Sequence, residues 1–449
     1  LESITQNYDT VFHLNAVHYA LEAGNASSWF VGEFTRPGAE SPAPYPGAWH
    51  GVVALLVQLS GLSIAAATNV MWLAVSGLVW PVSTLLLTRT LVGPQPVVLA
   101  AAGVLSSAFA AFPYLLLHYG TVYPNALSYA ILPVGLALVL TLLGQARAPV
   151  VPRAVAGLLL VLYLPAQVFS QPNGVFSIVF LLSPLLLVLV LSWVRAGFGS
   201  SRATGGQRLG LGLLALGGTV GVLASNETIQ GLFTWAHPKS MPFGEALWRA
   251  VTHFPLPAGT PALMLSALVL TGLYQMVRHD RRGWMIVSFA LTVMVYGLAI
   301  GSDNDLGNAL IAPWYGNPDR LAALMPVFGV PWAAVGLERV IAAIRRRCRR
   351  HRRHGRPTGP VLPSPLVALT AAALLAGLSP ALWQLNTRLA DRFEVPVVHD
   401  PGKQLDTHKL RLLQQLVEHV PDDAVLANNP WNGSPLAVAV AGRDVLFPY

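Results

Sequence analysis

Between residues 64 and 383 the chain is a succession of long apolar stretches separated by short polar turns. A helix rising 1.5 Å per residue needs about twenty such residues to cross a hydrocarbon core of ~30 Å. The pattern predicts ten membrane helices, over 64–88, 96–117, 122–144, 152–168, 173–195, 208–224, 261–277, 284–301, 321–343 and 361–383. Ahead of them lies a polar segment, 1–63. It predicts one helix from Thr10 to Ala23 and a shorter apolar helix over 47–61 (GAWHGVVALLVQLSG). The second is short for a crossing and reads as a helix lying on the membrane surface. Beyond residue 384 the periodicity changes. Leu405–Val420 has helical spacing, Val425–Ala427 and Asp444–Phe447 read as short strands, and Ser434–Ala441 as another helix. The expectation is a mainly α, polytopic helical bundle (64–383), preceded by an outer loop (1–63) and followed by a small soluble α/β domain (384–449).

Composition sharpens this. Of 449 residues, 54% are hydrophobic and only 11% are charged, against roughly 25% charged in soluble domains. Cys348 is the single cysteine, so no intrachain disulfide and no cysteine-based metal site is expected. The chain starts at Leu1 without a signal peptide and stops at Tyr449 inside a predicted strand. Both ends suggest a segment of a longer protein, with at least one helix ahead of it.

The net charge of +8 does not point to nucleic acid, because of where the charge lies. Its largest run, Arg345 to Arg356 (RRRCRRHRRHGR), falls between two apolar stretches, where the positive-inside rule places arginine. With that run in the cytoplasm, Arg89, Arg147, Arg153, Arg195, Arg202, Arg208, Arg278, Arg281 and Arg282 fall on the same side. Only two acidic residues, Asp280 and Glu338, join them. Residues 1–63 and the tail are then extracytoplasmic, as are the loops 225–260 and 302–320. The expected location is the plasma membrane, with the functional face outside.

The outer loops hold the candidate chemistry. Asp9 lies just ahead of a predicted helix and can act as a general base or as that helix's N-cap. His13, four residues on, shares its helical face. His50, on the surface helix, faces either lipid or the site. In Pro313-Trp314-Tyr315-Gly316-Asn317-Pro318-Asp319-Arg320, the Arg320 guanidinium suits a phosphate, with Asp319 beside it as a competing structural partner. Trp314 and Tyr315 either stack on a sugar or belong to the interfacial aromatic belt, and Asn317 completes the candidate binding set. Lys239 and His237 are further phosphate contacts. Asp303 and Asp305 form a D-x-D that either holds a divalent cation through oxygen ligands or caps the next turn. No zinc motif, P-loop or nucleotide-binding glycine pattern is present, so no cofactor is expected beyond a possible divalent cation.

These motifs resemble the GT-C superfamily of integral membrane glycosyltransferases. Q-N-Y-D-T-V-F-H-L-N-A-V, Y-P-G-A-W-H and P-W-Y-G-N-P-D-R-L-A-A-L resemble an actinobacterial branch of it, the DUF6541 type, over essentially the whole chain. The resemblance implies an inverting enzyme that takes a sugar from a polyprenyl phosphate and passes it to a glycan or lipid acceptor of the cell envelope. It places Asp9 as the base or acceptor-orienting carboxylate, and Arg320, then Lys239, on the donor phosphate. Many such enzymes carry two adjacent acids in this loop, whereas Asp9 stands alone here. Two other readings stay open. A lipid-linked-sugar flippase would need ionisable residues along the spans, which hold very few. A non-catalytic envelope-assembly protein would use the scaffold without the chemistry.

Overall fold

The computed structural model describes residues 1–35, 44–225, 230–231, 238–255, 259–280, 282–352 and 364–449. Trp235, His237, Arg281 and the end of the basic run at 353–356 lie outside the described residues. The fold is almost entirely helical. Helix α1 spans Tyr8–Ala23 and α2 spans Ala48–Ser60. Among the described residues, seven helices are long and apolar enough to cross a membrane: α3 (Ile64–Val92), α4 (Pro96–Gly120), α5 (Tyr123–Leu142), α6 (Arg153–Ser170), Asn173–Ser200, Trp284–Gly301 and Pro318–Cys348. An eighth results if Ser364–Gly377 and Pro380–Phe393 count as one broken span. The chain is a multi-pass membrane protein. Of the ten predicted spans, 208–224 and 261–277 form the helices Arg202–Ser225 and Leu263–Asp280. Seven glycines in the first and a charged end on the second hold their hydropathy down.

Helix α2 has 13 residues, a length of about 20 Å, so it cannot cross the core alone. Trp49, His50, Val53 and Ala54 are buried while Val52, Leu55 and Leu59 are exposed. Its polar-looking histidine therefore faces protein and its leucines face outward.

Contacts divide the chain into two compact units. The first comprises Leu1–Thr90, Phe112–Gly174 and Leu378–Tyr449; the second comprises Leu91–Ala111 and Val175–Gly377. In the first, α1 and α2 are joined by buried rings. Phe12 packs with Ala16 and Val31 beneath Phe34 and Tyr45, and Trp49 stacks on Tyr123 of α5 with centroids 4.7 Å apart and planes at 6°. In the second, Leu263–Asp280 lies against Met325–Arg352 at backbone contact. A Cβ at Gly272 would sit 1.7 Å from the Trp332 carbonyl oxygen, and one at Gly336 would sit 2.1 Å from that of Leu268. Each helix thus offers a glycine to the other's backbone, the small-residue contact by which membrane helices pack without a hydrophobic driving force.

The small α/β domain expected at the C-terminus is not what forms. The helix predicted over Leu405–Val420 is there as Thr407–His419, capped by Asp406, whose Oδ1 accepts from the Lys409 backbone N–H at 2.8 Å. The two predicted strands meet only in one parallel bridge, Leu426 with Val445. Leu426 N–H donates to the Asp444 carbonyl and Leu446 N–H donates back to the Leu426 carbonyl, both at 2.9 Å. Among the described residues there is no strand to extend the bridge, and a pair this short does not make a sheet. The tail belongs instead to the first unit, packed onto α1. Asn15 Nδ2 donates to the Pro435 carbonyl at 3.0 Å and the Pro448 carbonyl at 2.8 Å.

Candidate functional site

Asp9 is not the N-cap of α1. The helix starts two residues earlier than the pattern predicts, and Asn7 caps it, its Oδ1 accepting from the Asp9 backbone N–H at 3.0 Å. Asp9 occupies the first turn, where the helix dipole favours a carboxylate. Its side chain abuts the turn after α4. A Cβ built at Gly120 would lie 2.8 Å from Asp9 Oδ2, so only a glycine leaves the carboxylate its present room.

A buried hydroxyl chain holds this arrangement. Thr5 and Thr10 pair at 2.6 Å, Thr10 and Thr121 at 3.1 Å, and Thr5 reaches the Tyr123 hydroxyl at 3.5 Å. Asn7 Nδ2 donates to the Tyr119 carbonyl at 3.2 Å. Thr121 takes a left-handed backbone, φ 48°, uncommon for a residue with a β-branched side chain. The first turn of α1 and the 119–123 turn are thus fastened together on either side of Asp9.

Two rings, Tyr8 and Tyr449, stand near the carboxylate, and Trp431 stacks on the first. The Tyr8 ring stacks on Trp431 at 5.0 Å and lies 4.9 Å from Tyr449. Burial pushes the Tyr8 and Tyr449 phenols above their ordinary range, and the negative charge of Asp9 pushes both further. The carboxylate therefore sits among aromatic groups drawn from both ends of the sequence.

His13 and His50 find each other. His13 Nδ1 and His50 Nε2 are 3.0 Å apart, one donating to the other. Phe12, Tyr45 and Tyr123 present ring edges to His13 at 5.3, 6.3 and 5.3 Å. Burial, then the neighbouring His50, holds His13 well below the usual imidazole range. Burial pushes His50 down to about 3, with the Pro46 carbonyl opposing weakly. Both rings are neutral near pH 7. His50, which the sequence left between lipid and site, is an interior residue joining α2 to α1.

The second candidate cluster lies in the second unit. Tyr315 has φ 58° and turns its ring under Arg320, whose Cζ is 4.5 Å from the ring centroid, a cation–π arrangement. Arg320 Nε and Nη1 are buried without a hydrogen-bond partner, so Asp319 does not occupy them. Two desolvated donors on a permanent cation invite an anion. Asn317 caps the short helix Pro318–Ala322, its Oδ1 accepting from the Arg320 N–H at 2.9 Å. Trp314 is buried, its indole N–H donating to Ser177 Oγ at 2.9 Å and its ring edge-on to Phe180 at 5.1 Å. Its role is packing; neither a sugar nor the interfacial belt can reach its faces.

Lys239 is half-buried and donates to the Ala299 carbonyl at 3.2 Å and Asn308 Oδ1 at 3.3 Å. Burial lowers its pKa, with Asp303 opposing. Its ammonium ties a loop to the end of Trp284–Gly301. In the D-x-D, the intervening Asn304 caps Asp305–Ile311 by accepting from Gly307 N–H at 2.7 Å. Among the described residues no three His, Cys, Asp or Glu side chains come together as a metal site.

Asp9, His13, His50 and Arg320 are candidates from the sequence; Gly120, Thr121 and Tyr449, which pack around Asp9 and α1, are not. They meet α1 from more than a hundred and more than four hundred residues away in the sequence, a separation that local patterns do not bridge.

A family model described as "Family of unknown function (DUF6541)" matches residues 1–449. No curated protein sequence matches the chain. Among solved structures, that of ArnT from Cupriavidus metallidurans in the apo state is similar with a TM-score of 0.56 at 12% identity, over 99% of this chain and 82% of that one. The Archaeoglobus fulgidus oligosaccharyltransferase in the apo form gives 0.49 at 14% identity, and the same organism's AglB with an inhibitory peptide and a dolichol-phosphate gives 0.47 at 14%. This chain is covered to 99% in both comparisons but spans only 61% and 60% of those chains. At 12% identity the likeness to ArnT shows a shared fold.

Proposed function

The chain belongs to the DUF6541 family, and we propose that it is a membrane glycosyltransferase that moves a sugar from a polyprenyl-phosphate donor to a cell-envelope acceptor at the extracytoplasmic face of the plasma membrane. The observation that carries this is the Asp9 carboxylate. It is relieved of capping by Asn7, walled by Gly120 and set beside the Tyr8 and Tyr449 rings. Carboxylate plus aromatic rings is the chemistry that binds and activates a sugar hydroxyl.

In the proposed step the acceptor hydroxyl attacks the anomeric carbon of the donor. The bond from that carbon to the phosphate oxygen breaks, inverting the centre, and the polyprenyl phosphate leaves with the electron pair. Asp9 accepts the hydroxyl proton as general base. In the second unit, Arg320 is read by itself as an anion-binding group, offering Nε and Nη1 from a guanidinium held against the Tyr315 ring. His13 and His50, neutral and bonded to each other, position α1 against α2 without taking the proton themselves.

The test is sugar transfer from a labelled polyprenyl-phosphate donor by the purified chain in nanodiscs. Asp9→Asn is expected to abolish transfer while leaving gel-filtration behaviour and thermal stability near wild type. Full activity in that variant contradicts the proposal.

A further inference from the structure

A cavity of about 460 Å³ lies on the side of α2 turned away from His50, within the roughly 300–1,000 Å³ of ligand-sized pockets. Gly51, Val52 and Leu55 of α2 form one wall, Ala26 and Trp29 a second, and Phe169 of α6 the third. The 26–29 loop is pinned to the start of α2. Gly47 N–H donates to Ser28 Oγ at 3.0 Å, and Tyr45 N–H to the Ser28 carbonyl at 2.8 Å. The Ser27 carbonyl accepts from the Phe30 and Val31 N–H groups, both at 3.0 Å. A Cβ at Gly47 would lie 2.6 Å from the Ala26 carbonyl oxygen, so the close approach of the loop needs that glycine.

The lining and its surroundings decide what fits. Among the described residues that form the cavity, none carries a charge, and the Ser27 and Ser28 carbonyls already accept from backbone N–H groups. A sugar, phosphate or peptide seated here would lose hydrogen bonds to water without replacing them. Water in such a place needs about two to four polar partners. Hydrocarbon needs none, and it is at hand. Leu158, Leu162, Pro165 and Phe169 are all exposed and follow one another at four, three and four residues, which puts them in one stripe. The helix that carries them, α6, is long and apolar enough to cross the membrane. The stripe runs for about 16 Å and ends in the cavity wall. A chain lying against α6 therefore reaches the cavity along apolar surface alone.

We propose that this cavity binds an acyl chain of a lipid in the adjoining leaflet, which braces α2 from the side opposite its contacts with α1. A lining without charge has nothing with which to choose a headgroup. Bulk lipid outnumbers any lipid-linked substrate, so mass action favours the acyl chain. The occupant does not depend on the role of Asp9.

The experiment uses the full chain in nanodiscs doped with a phospholipid that carries a diazirine near the end of one acyl chain. After irradiation, adducts are mapped by mass spectrometry. Adducts are expected on Trp29 and Leu55 of the cavity as well as on Leu158 and Leu162 of the α6 stripe, which serve as the internal standard. Val52 is half-exposed, and Val52→Trp is expected to cut the cavity adducts by about fivefold against that standard, by filling the space. Leu55→Gln, read at Trp29, is a second variant that should act in the same direction. Adducts on the stripe with none in the cavity overturn the proposal. So do cavity adducts that neither variant reduces, since these mark lipid brushing past the loop. Loss of cavity adducts alone when unlabelled polyprenyl phosphate is added at equal mole fraction would assign the cavity to a prenyl chain and overturn the acyl assignment.

Discussion

The Asp9 and Arg320 regions solve opposite problems. Around Arg320 everything is local: Tyr315, Asn317 and Arg320 lie within six residues, and one turn with a left-handed Tyr315 sets the guanidinium on its ring. Around Asp9 everything is distant. The carboxylate comes from α1, its wall from Gly120 and its neighbouring rings from Tyr8 and Tyr449. The Arg320 cluster keeps two buried donors without a protein partner, which the proposed function reads as an anion site. The Asp9 cluster is held by protein from both ends of the sequence, so its design is completed by folding. A local cluster places its charge within one turn, while placement of the Asp9 carboxylate draws on segments far apart in the sequence.

Substitutions break that comparison in order of size. Asp9→Asn should cost the most, about 10²- to 10⁴-fold in kcat, the range for losing a positioned general base, with donor KM little changed in steady-state transfer assays. Arg320→Gln should cost less, roughly 10- to 100-fold, as expected for losing charge-assisted hydrogen bonds, and the loss should fall on donor KM. Arg320→Lys should recover part of it by restoring charge without the planar fork. An equal response of kcat and KM in both variants would erase the distinction between the two regions.

Two glycine substitutions sharpen it further. Gly120→Ala puts a methyl against Asp9 Oδ2. It should lower kcat by about tenfold, since displacement of a catalytic group by a fraction of an ångström is felt in rate, with thermal stability nearly unchanged. Gly272→Ala meets the Trp332 carbonyl backbone instead. It should lower the unfolding temperature in detergent, because rigid backbone must move. Activity per folded molecule should survive. Reversal of these outcomes would mean Gly120 is structural and Gly272 functional.

The smallest effect is a pH dependence confined to the first unit. His50 titrates near 3 when folded and near 6.5 when unfolded, and His13 is shifted the same way. The unfolded chain therefore binds the extra protons. Stability is fully present above pH 6.5 and falls as pH drops toward the folded value. Between pH 7 and 5 the loss for His50 is at most about 2 kcal/mol. Thermal melts should show a lower midpoint at pH 5, and His50→Phe should flatten the difference. A midpoint unchanged from pH 7 to 5 in wild type would show that the pair is not held neutral.

The apolar helices and the short length of α2 were legible because period and length answer to the membrane alone. So was the Arg320 cluster, contained in one octapeptide. Asp9 was legible as a carboxylate but not as an uncapped one. Tyr8 reads as a loop residue from its neighbours, and only the backbone shows Asn7 taking the cap. Val425–Ala427 and Asp444–Phe447 have strand composition, but β pairing depends on partners, and here each finds one bridge. The tail's packing on α1 rests on Asn15 reaching two carbonyls, 420 and 433 residues away, which no local pattern encodes.

The most direct measurement is a cryo-EM structure of the wild-type chain in nanodiscs with a non-hydrolysable polyprenyl-phosphate sugar. The account predicts sugar density within hydrogen-bond reach of the Asp9 carboxylate, beside Tyr8 and Tyr449. Sugar bound elsewhere, with that carboxylate still closed against Gly120, would contradict it.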